Sequence, residues 1–340
     1  MATMKQIAQL AGVSRGTVDR VLNKRGVVKK ETADKIREIA QLLNYVPNKA
    51  ARSLATHKTN PNFGFILADR NNPFYEQIRK GIEKKAAELT EYGITVDIEY
   101  GAFSNPSIQD KLLLGMASRG ITGIGLCGFG APSTARIIRE LREKGIYVVT
   151  SNTDIPDSGR LAFVGFDYEK AGRVAAQLVS LIKKGPANVA VLFGSRSDVS
   201  HSEWMRGFRS YISEHAVNIH VKYVEANSDD DFKSFAIVTD IIGKDSSINT
   251  LLLASAGIYG ACRAVEILPE AQRPCTICYD CVPSTQDMMR KGIISATICQ
   301  QLEYQGAKPL DILFNALCLA SPPEEERFLS EISIKISECL

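Results

Sequence analysis

Histidine and tryptophan are scarce in this 340-residue chain, at four and one residues respectively. His57, His201, His215 and His220 form no HExxH pair, and neither a GxSxG elbow nor a GxxxxGK[ST] loop occurs. Zinc-peptidase, serine-hydrolase and P-loop chemistries therefore lack the residue patterns they need. No run of about 20 apolar residues is present to cross a bilayer, so no membrane partner is expected. The start, MATMKQIAQLAG, lacks the apolar stretch of a secretory signal and is patterned as a helix from Met4, which makes the cytoplasm the expected location. Eight cysteines in a chain this long do not make a disulfide scaffold, and they read as mostly buried thiols.

Two motifs invite cofactor readings. Cys275, Cys278 and Cys281 form CxxCxxC, but Thr276, Ile277 and Tyr279 favour a strand, where residues three apart point to opposite faces and cannot clamp one ion. Gly123, Gly125 and Gly128 satisfy GxGxxG, yet the motif overlaps the apolar run ITGIGLC, and the following helix begins only near Ser133. A dinucleotide fingerprint must follow a strand and open a helix. The expectation is no metal, no cofactor and no catalysis.

The composition, 45% hydrophobic and 23% charged, suits an ordinary globular protein of two or three domains. The modest net charge of +3 is unevenly distributed. Residues 1–60 hold 12 Lys and Arg against 4 Asp and Glu, and the remainder 29 against 34. A basic head on a mildly acidic body is the electrostatic footprint of nucleic-acid binding, because cations that neutralise phosphates release counterions.

Inside that head, Ile7, Ala8, Leu10 and Ala11 share one helical face, and Val18, Val21 and Leu22 mark a second short helix. Gly12 suits the left-handed turn between them, Val13 plugs the small core, and Ser14 is a good N-cap. A third helix, about Glu31 to Asn44, carries Ala33, Ile36, Ile39, Ala40 and Leu43 inward. This is helix-turn-helix grammar, in which the first turn of the second helix enters the major groove. Arg15 and Arg20 are long donors there, and Gly16 permits close approach, although a tolerated glycine and a solvated arginine are the plainer alternative.

The run IAQLAGVSRGTVDRVLN, followed by LNYVPNKAARSLAT, resembles the lac repressor family. The resemblance implies a DNA-contacting set of Ser14, Arg15, Gly16, Thr17, Arg20 and Asn23, followed by a hinge helix carrying Asn48, Ala51, Arg52 and the minor-groove wedge Leu54. Lys29 departs from the Ser or Thr that relatives often place before the third helix, so that helix is expected to start less firmly. The expected divisions are a head at 1–46, a hinge and linker at 47–61, and an effector-binding and dimerisation domain at 62–340.

From Asn62 onward, short apolar runs alternate with amphipathic helical stretches: FGFILA, ITVDIEY, ITGIGLC, YVVTSN, FVGFD, NVAVLFG, TLLLASA, CTICYD and ISATICQ. About a dozen strands exceed one comfortable sheet, so the pattern predicts an α/β body of two lobes with parallel sheets and a ligand cleft. The body is similar to the periplasmic sugar-binding fold (type I) that the lac repressor family uses as its effector domain. That resemblance implies lobe crossings near Gly165, Gln300 and Pro322, with lobe 1 at about 62–165 and 301–322, and lobe 2 at about 166–300 and 323–340.

Asn72, Phe74 and Tyr75 sit where the first strand gives way to a helix, and NNPFY resembles the matching run of ribose-type binding proteins. Aromatic rings there can stack on a sugar while the Asn72 amide bonds its hydroxyls. Asp280, Gln300 and Asn152 match ligand-contacting positions by the same resemblance, the last usually an Asp; for Asn72, Asp280 and Asn152 a capping or turn role is the alternative. In SHSEWMRGF, Trp204 stands where relatives commonly place an Arg that forks onto sugar oxygens. It either faces the cleft, beside Phe74 or Tyr75, or packs in the lobe core. His201 either faces the cleft as a ligand donor or is a surface or core histidine.

The combined reading is a DNA-binding transcription regulator, a repressor by expectation, gated by a small polar effector of carbohydrate type. It would bind double-stranded DNA at a pseudo-palindromic operator as a homodimer, since the chain ends after SIKISECL without a heptad tail. The alternative is a cytosolic sugar-binding or carbohydrate-active α/β protein whose basic head has another role.

Overall fold

A computed structural model describes residues 4–22, 28–43, 61–101, 105–195, 199–215 and 217–340. The chain divides into two compact units, Met1–Asn60 and Pro61–Leu340. In the first, α1 (Met4–Ala11), α2 (Arg15–Leu22) and α3 (Lys30–Leu42) surround a small core of Ile7, Ala8, Ala11, Val18, Val21, Ala33, Ile36 and Ala40. Gly12 takes φ +71° after α1, and the Thr17 amide donates to Ser14 Oγ at 3.2 Å to cap α2. Lys29 at the N-cap of α3 makes no side-chain cap bond, so an orphan amide of the first turn lacks that partner. Leu10 is a correction to the helical-face reading: it is 59% exposed and takes no part in this core.

The second unit holds two six-stranded sheets. The first has β1 (Asn62–Leu67), β2 (Val96–Tyr100), β3 (Ile121–Cys127), β4 (Tyr147–Ser151), β5 (Ala162–Gly165) and β11 (Arg327–Leu329), in the order β11-β5-β4-β3-β1-β2. Every pairing in it is parallel. The second has β6 (Ala187–Phe193), β7 (Ile219–Ala226), β8 (Thr250–Leu253), β9 (Cys275–Tyr279), β10 (Ala296–Cys299) and β12 (Ser333–Lys335), in the order β12-β10-β9-β8-β6-β7. Only β12 runs antiparallel there. The inner strands are buried on both faces, which is why they read as continuous apolar runs rather than as alternating ones.

The helices α4 (Pro73–Thr90), α5 (Pro106–Ser118), α6 (Pro132–Glu143) and α12 (Leu302–Cys318) cover the first sheet. On the second lie α7 (Tyr168–Ile182), α8 (Val199–His215), α9 (Asp231–Lys244), α10 (Ile258–Glu266) and α11 (Pro283–Arg290). In both lobes helix pairs meet backbone to backbone through glycines. A Cβ at Gly81 would fall 2.0 Å from the Glu303 carbonyl, and one at Gly172 would fall 2.0 Å from the Trp204 carbonyl. These approaches fix α12 against α4 and α8 against α7.

The chain passes between sheets after β5, after β10, and between β11 and β12. The third crossing therefore lies after Leu329, not near Pro322. Residues 323–329 belong with the first lobe because Arg327, Phe328 and Leu329 pair with Phe163, Val164 and Gly165.

The GxGxxG glycines serve packing. Gly125 lies opposite Phe65 in register, and a Cβ there would meet the Phe65 ring at 2.5 Å. The helix after that strand starts only at Pro132. Cys275 and Cys278 lie on β9, with Cys278 buried, and no group of three or more His, Cys, Asp or Glu suited to a metal occurs among the described residues.

Candidate functional site

In the head, Ser14 and Thr17 spend their hydroxyls on each other at 3.0 Å, next to the cap bond. Arg15, Gly16 and Arg20 are exposed, and Arg20 Nε rests on the Gly16 carbonyl at 3.2 Å. Among the described residues a Cβ at Gly16 would meet nothing closer than Ser14 Oγ at 3.8 Å, so none of them requires a glycine there. Asn23, Asn48, Ala51, Arg52 and Leu54 lie outside the described residues, as does the proposed hinge segment.

In the body, the carboxyl ends of β1, β2 and β4 in one sheet and of β7, β8, β9 and β10 in the other open onto a single cleft of about 970 Å³. Parallel α/β sheets concentrate ligand sites at these ends, where the strand gives way to loops and helix N-termini. The cleft gathers Asn72, Phe74, Tyr75, Asn152, Trp204, Asp280 and Gln300, all seven of the residues expected to line it.

Asn72 caps α4 by accepting the Phe74 amide at 2.9 Å, which leaves its Nδ2 as the donor for a ligand. Phe74 and Tyr75 meet edge to face, with centroids 5.0 Å apart. Burial pushes the Tyr75 hydroxyl well above its ordinary pKa, so it is a neutral donor and acceptor at any working pH.

Trp204 is 2% exposed. It stacks on Phe208 at 5.1 Å, meets Phe193 edge-on at 5.7 Å, and donates its indole N–H to the Tyr279 hydroxyl, which in turn donates to the Ala171 carbonyl at 3.0 Å. Its ring partners thus belong to its own lobe and are not Phe74 or Tyr75, because α8 carries it on the face that packs on β6 and α7. With its only donor spent, it offers the cleft a wall and no hydrogen bond. His201 lines the same wall, stacked on Phe193 at 4.9 Å, with Nδ1 bonded to the Ser195 carbonyl at 2.9 Å.

Asp280 is the electrostatic centre. It follows β9 with φ +60° and is 8% exposed. Gln300 Nε2 donates to its Oδ2 at 3.0 Å, while its Oδ1 is buried without a hydrogen-bond partner. Desolvation raises its carboxyl pKa to about 7, against the opposing hydrogen bonds from Gln300.

A polar chain runs from here through the lobe crossing. Gln305 Nε2 donates to the Gln300 carbonyl at 3.0 Å and to its Oε1 at 3.2 Å, Asn152 Nδ2 donates to Gln305 Oε1 at 3.3 Å, and Ser151 Oγ donates to the Gln305 carbonyl at 2.7 Å. Asn152, at φ +64°, also reaches the Tyr168 hydroxyl at 3.3 Å in the other lobe. Inside a protein a chain bonded in this way is rigid, and each missing member strands another.

The sequence reading missed Asp69, Arg70, Tyr100, Tyr168, Asp229, Ser255 and Tyr259, which also line the cleft. Several were signalled by position, since Asp69, Tyr100 and Ser255 fall at or just after the ends of apolar strand runs. Gln305 carried no signal, being one of several polar residues in the first turns of a helix.

A two-lobed binding protein joined to a trihelical head is the class these features define. The chain belongs to the periplasmic binding protein domain family over residues 63–320, and residues 3–48 match the bacterial regulatory proteins of the lacI family. It is similar to catabolite control protein A of Priestia megaterium, at 30% identity over 226 residues, covering 65% of this chain and 64% of that one. The namesake protein of Staphylococcus epidermidis is 29% identical over 217 residues, covering 64% and 63%. The chain thus spans less than two thirds of the length of these relatives. Among solved structures, XylFII superposes with a TM-score of 0.70 at 27% identity, covering 81% of this chain and 98% of that one. GanP, a glucose-galactose binding protein from Geobacillus stearothermophilus, gives 0.74 at 24%, covering 83% and 99%. No described helix is long and apolar enough to cross a membrane.

Proposed function

We propose that this protein is a transcription regulator that binds a pseudo-palindromic DNA duplex as a homodimer and is gated by a small polar effector in the cleft. The observation that carries the reading is the union, in one chain, of a lacI-type head with an unmet carboxylate oxygen, Asp280 Oδ1, in an aromatic-walled cleft. The head supplies exposed Arg15 and Arg20 beside a glycine that lets a duplex approach. The cleft supplies rings for the apolar face of a carbohydrate-like ligand, with Asp280 and Asn72 for its hydroxyls. A ligand bridging Phe74 and Asn72 in one lobe and Asp280 in the other favours one lobe angle over another. Its effect on DNA equals the difference in its affinity for the two states. Hinge residues Asn48, Ala51, Arg52 and Leu54 would then convert that angle into insertion at the operator centre. Selection of bound duplexes from a random pool should return a two-fold-related sequence whose affinity falls steeply with salt and changes on adding effector. Recovery of no sequence preference would defeat the DNA-binding reading.

A further inference from the structure

The charges around the cleft are lopsided. Among its described lining residues stand four carboxylates, Asp69, Asp229, Asp231 and Asp280, and one permanent cation, Arg70. Arg70 is exposed, with its guanidinium 5.1 Å from the centre of the Tyr100 ring. Three of the carboxylates accept backbone amides: Asp69 from Asn71 at 2.9 Å, Asp229 from Ala256 at 3.0 Å, and Asp231 from Gly260 at 2.9 Å. For Asp69 and Asp231 such bonds orient the carboxylate without cancelling its charge. The fourth, Asp280, is more than nine-tenths buried, and its Oδ1 has no partner. Trp204, which also lines the cleft, brings no charge, and its only donor goes to Tyr279.

We infer that the effector is a polyol bearing a protonated amine, an amino sugar or an amine-linked sugar, and that Asp280 Oδ1 accepts from its ammonium group. The inference rests on the reading of the cleft as the effector site. A hydroxyl donates one hydrogen bond and brings no charge, whereas an ammonium donates three and brings the charge the described lining lacks. Charge-assisted bonds of this kind are about twice as strong as neutral ones. Phe74, Tyr75 and Tyr168 line the same cleft, and aromatic rings attract a cation placed over their faces. A phosphorylated sugar meets the opposite situation, adding negative charge to a carboxylate-lined cavity with one exposed arginine to receive it. The cleft is thereby selective against anions as well as for cations.

The test is calorimetric titration of the full-length protein at pH 7.5 with matched sets of glucose, galactose and mannose in neutral, 2-amino and 6-phosphate forms. For at least one sugar, the amine form should bind at least about tenfold more tightly than its neutral parent, and the phosphate should give no heat. In Asp280→Asn the amine and neutral forms should bind within about twofold of each other. Neutral sugars binding as tightly as amines, or phosphates binding best, overturns the inference and leaves the effector-cleft reading standing. Equal amine preference in Asp280→Asn overturns the assignment to Asp280. No heat from any of the nine, with no change in DNA affinity, removes both the inference and the carbohydrate reading.

Discussion

Replacing Asp280 with asparagine should change the stability of the unliganded protein by an amount that depends on pH, and should stabilise it above about pH 7. The carboxyl is buried with Gln300 as its hydrogen-bonding neighbour, and its folded-state pKa of about 7 lies above the ordinary value of 3.8. Below pH 4 the group is protonated whether the chain is folded or not, and it costs nothing electrostatically. As pH rises from 4 to 7 the folded protein retains a proton that the unfolded chain has released, so stability declines by about 1.4 kcal/mol per unit. Above 7 the loss is complete, at a ceiling of about 4 kcal/mol. Asparagine keeps an acceptor for Gln300 but places an amide N–H₂ where Oδ1 was, a constant cost of about 1–3 kcal/mol that does not vary with pH. The signature is therefore a slope. The stability of Asp280→Asn relative to wild type should rise by about 3 kcal/mol between pH 5 and pH 8. Urea unfolding followed by Trp204 fluorescence reads this directly, because the lone tryptophan is 2% exposed in the second-lobe core. A difference that stays flat across that range would refute the claim that this carboxylate is desolvated. A confirmed slope would mean the empty cleft stores an electrostatic cost that a donor-bearing ligand relieves.

Arg15→Ala should weaken binding to a selected operator by about 1–3 kcal/mol while barely altering affinity for random duplex, as read by fluorescence anisotropy. Equal losses on both would make it a phosphate contact. Trp204→Arg should lower stability by about 3–5 kcal/mol, since it buries an unpaired charge against Phe208 and removes the donor to Tyr279, with the urea midpoint as the check. Retained stability would mean that the side chain swings into the cleft. Gln305→Leu leaves the Gln300 carbonyl without its side-chain donor and takes from the Asn152 amide one of its two acceptors, the other being the Tyr168 hydroxyl. It should cost about 1–3 kcal/mol and shrink the effect of effector on DNA affinity more than it shrinks effector affinity itself. Parallel losses in both would show Gln305 to be a purely structural support.

Much of this protein was determined by local pattern. The two-helix turn around Gly12 and Ser14, the parallel strands buried on both faces, and the placing of Asn72, Phe74 and Tyr75 at a strand end follow from side-chain period, capping and turn chemistry, all of which act over a few residues. Other features depend on residues far apart in the chain. β7, with its half-exposed sequence IHVKYVEA, and the three-residue strands β11 and β12 gave no apolar run to detect, because edge strands are stabilised by pairing rather than by burial. The third lobe crossing moved past Leu329 for the same reason, since only the pairing of Phe328 with Val164 assigns that segment to the first sheet. The side of the wall on which Trp204 sits was decided by the glycine contacts that press α8 against α7. Gln305 became part of the site only when α12 brought it beside Gln300 and Asn152, from 5 and 153 residues away. Local interactions specify which elements form, but the burial of Asp280, and with it the charge that the cleft demands of its ligand, exists only once two lobes have closed around the ends of their strands.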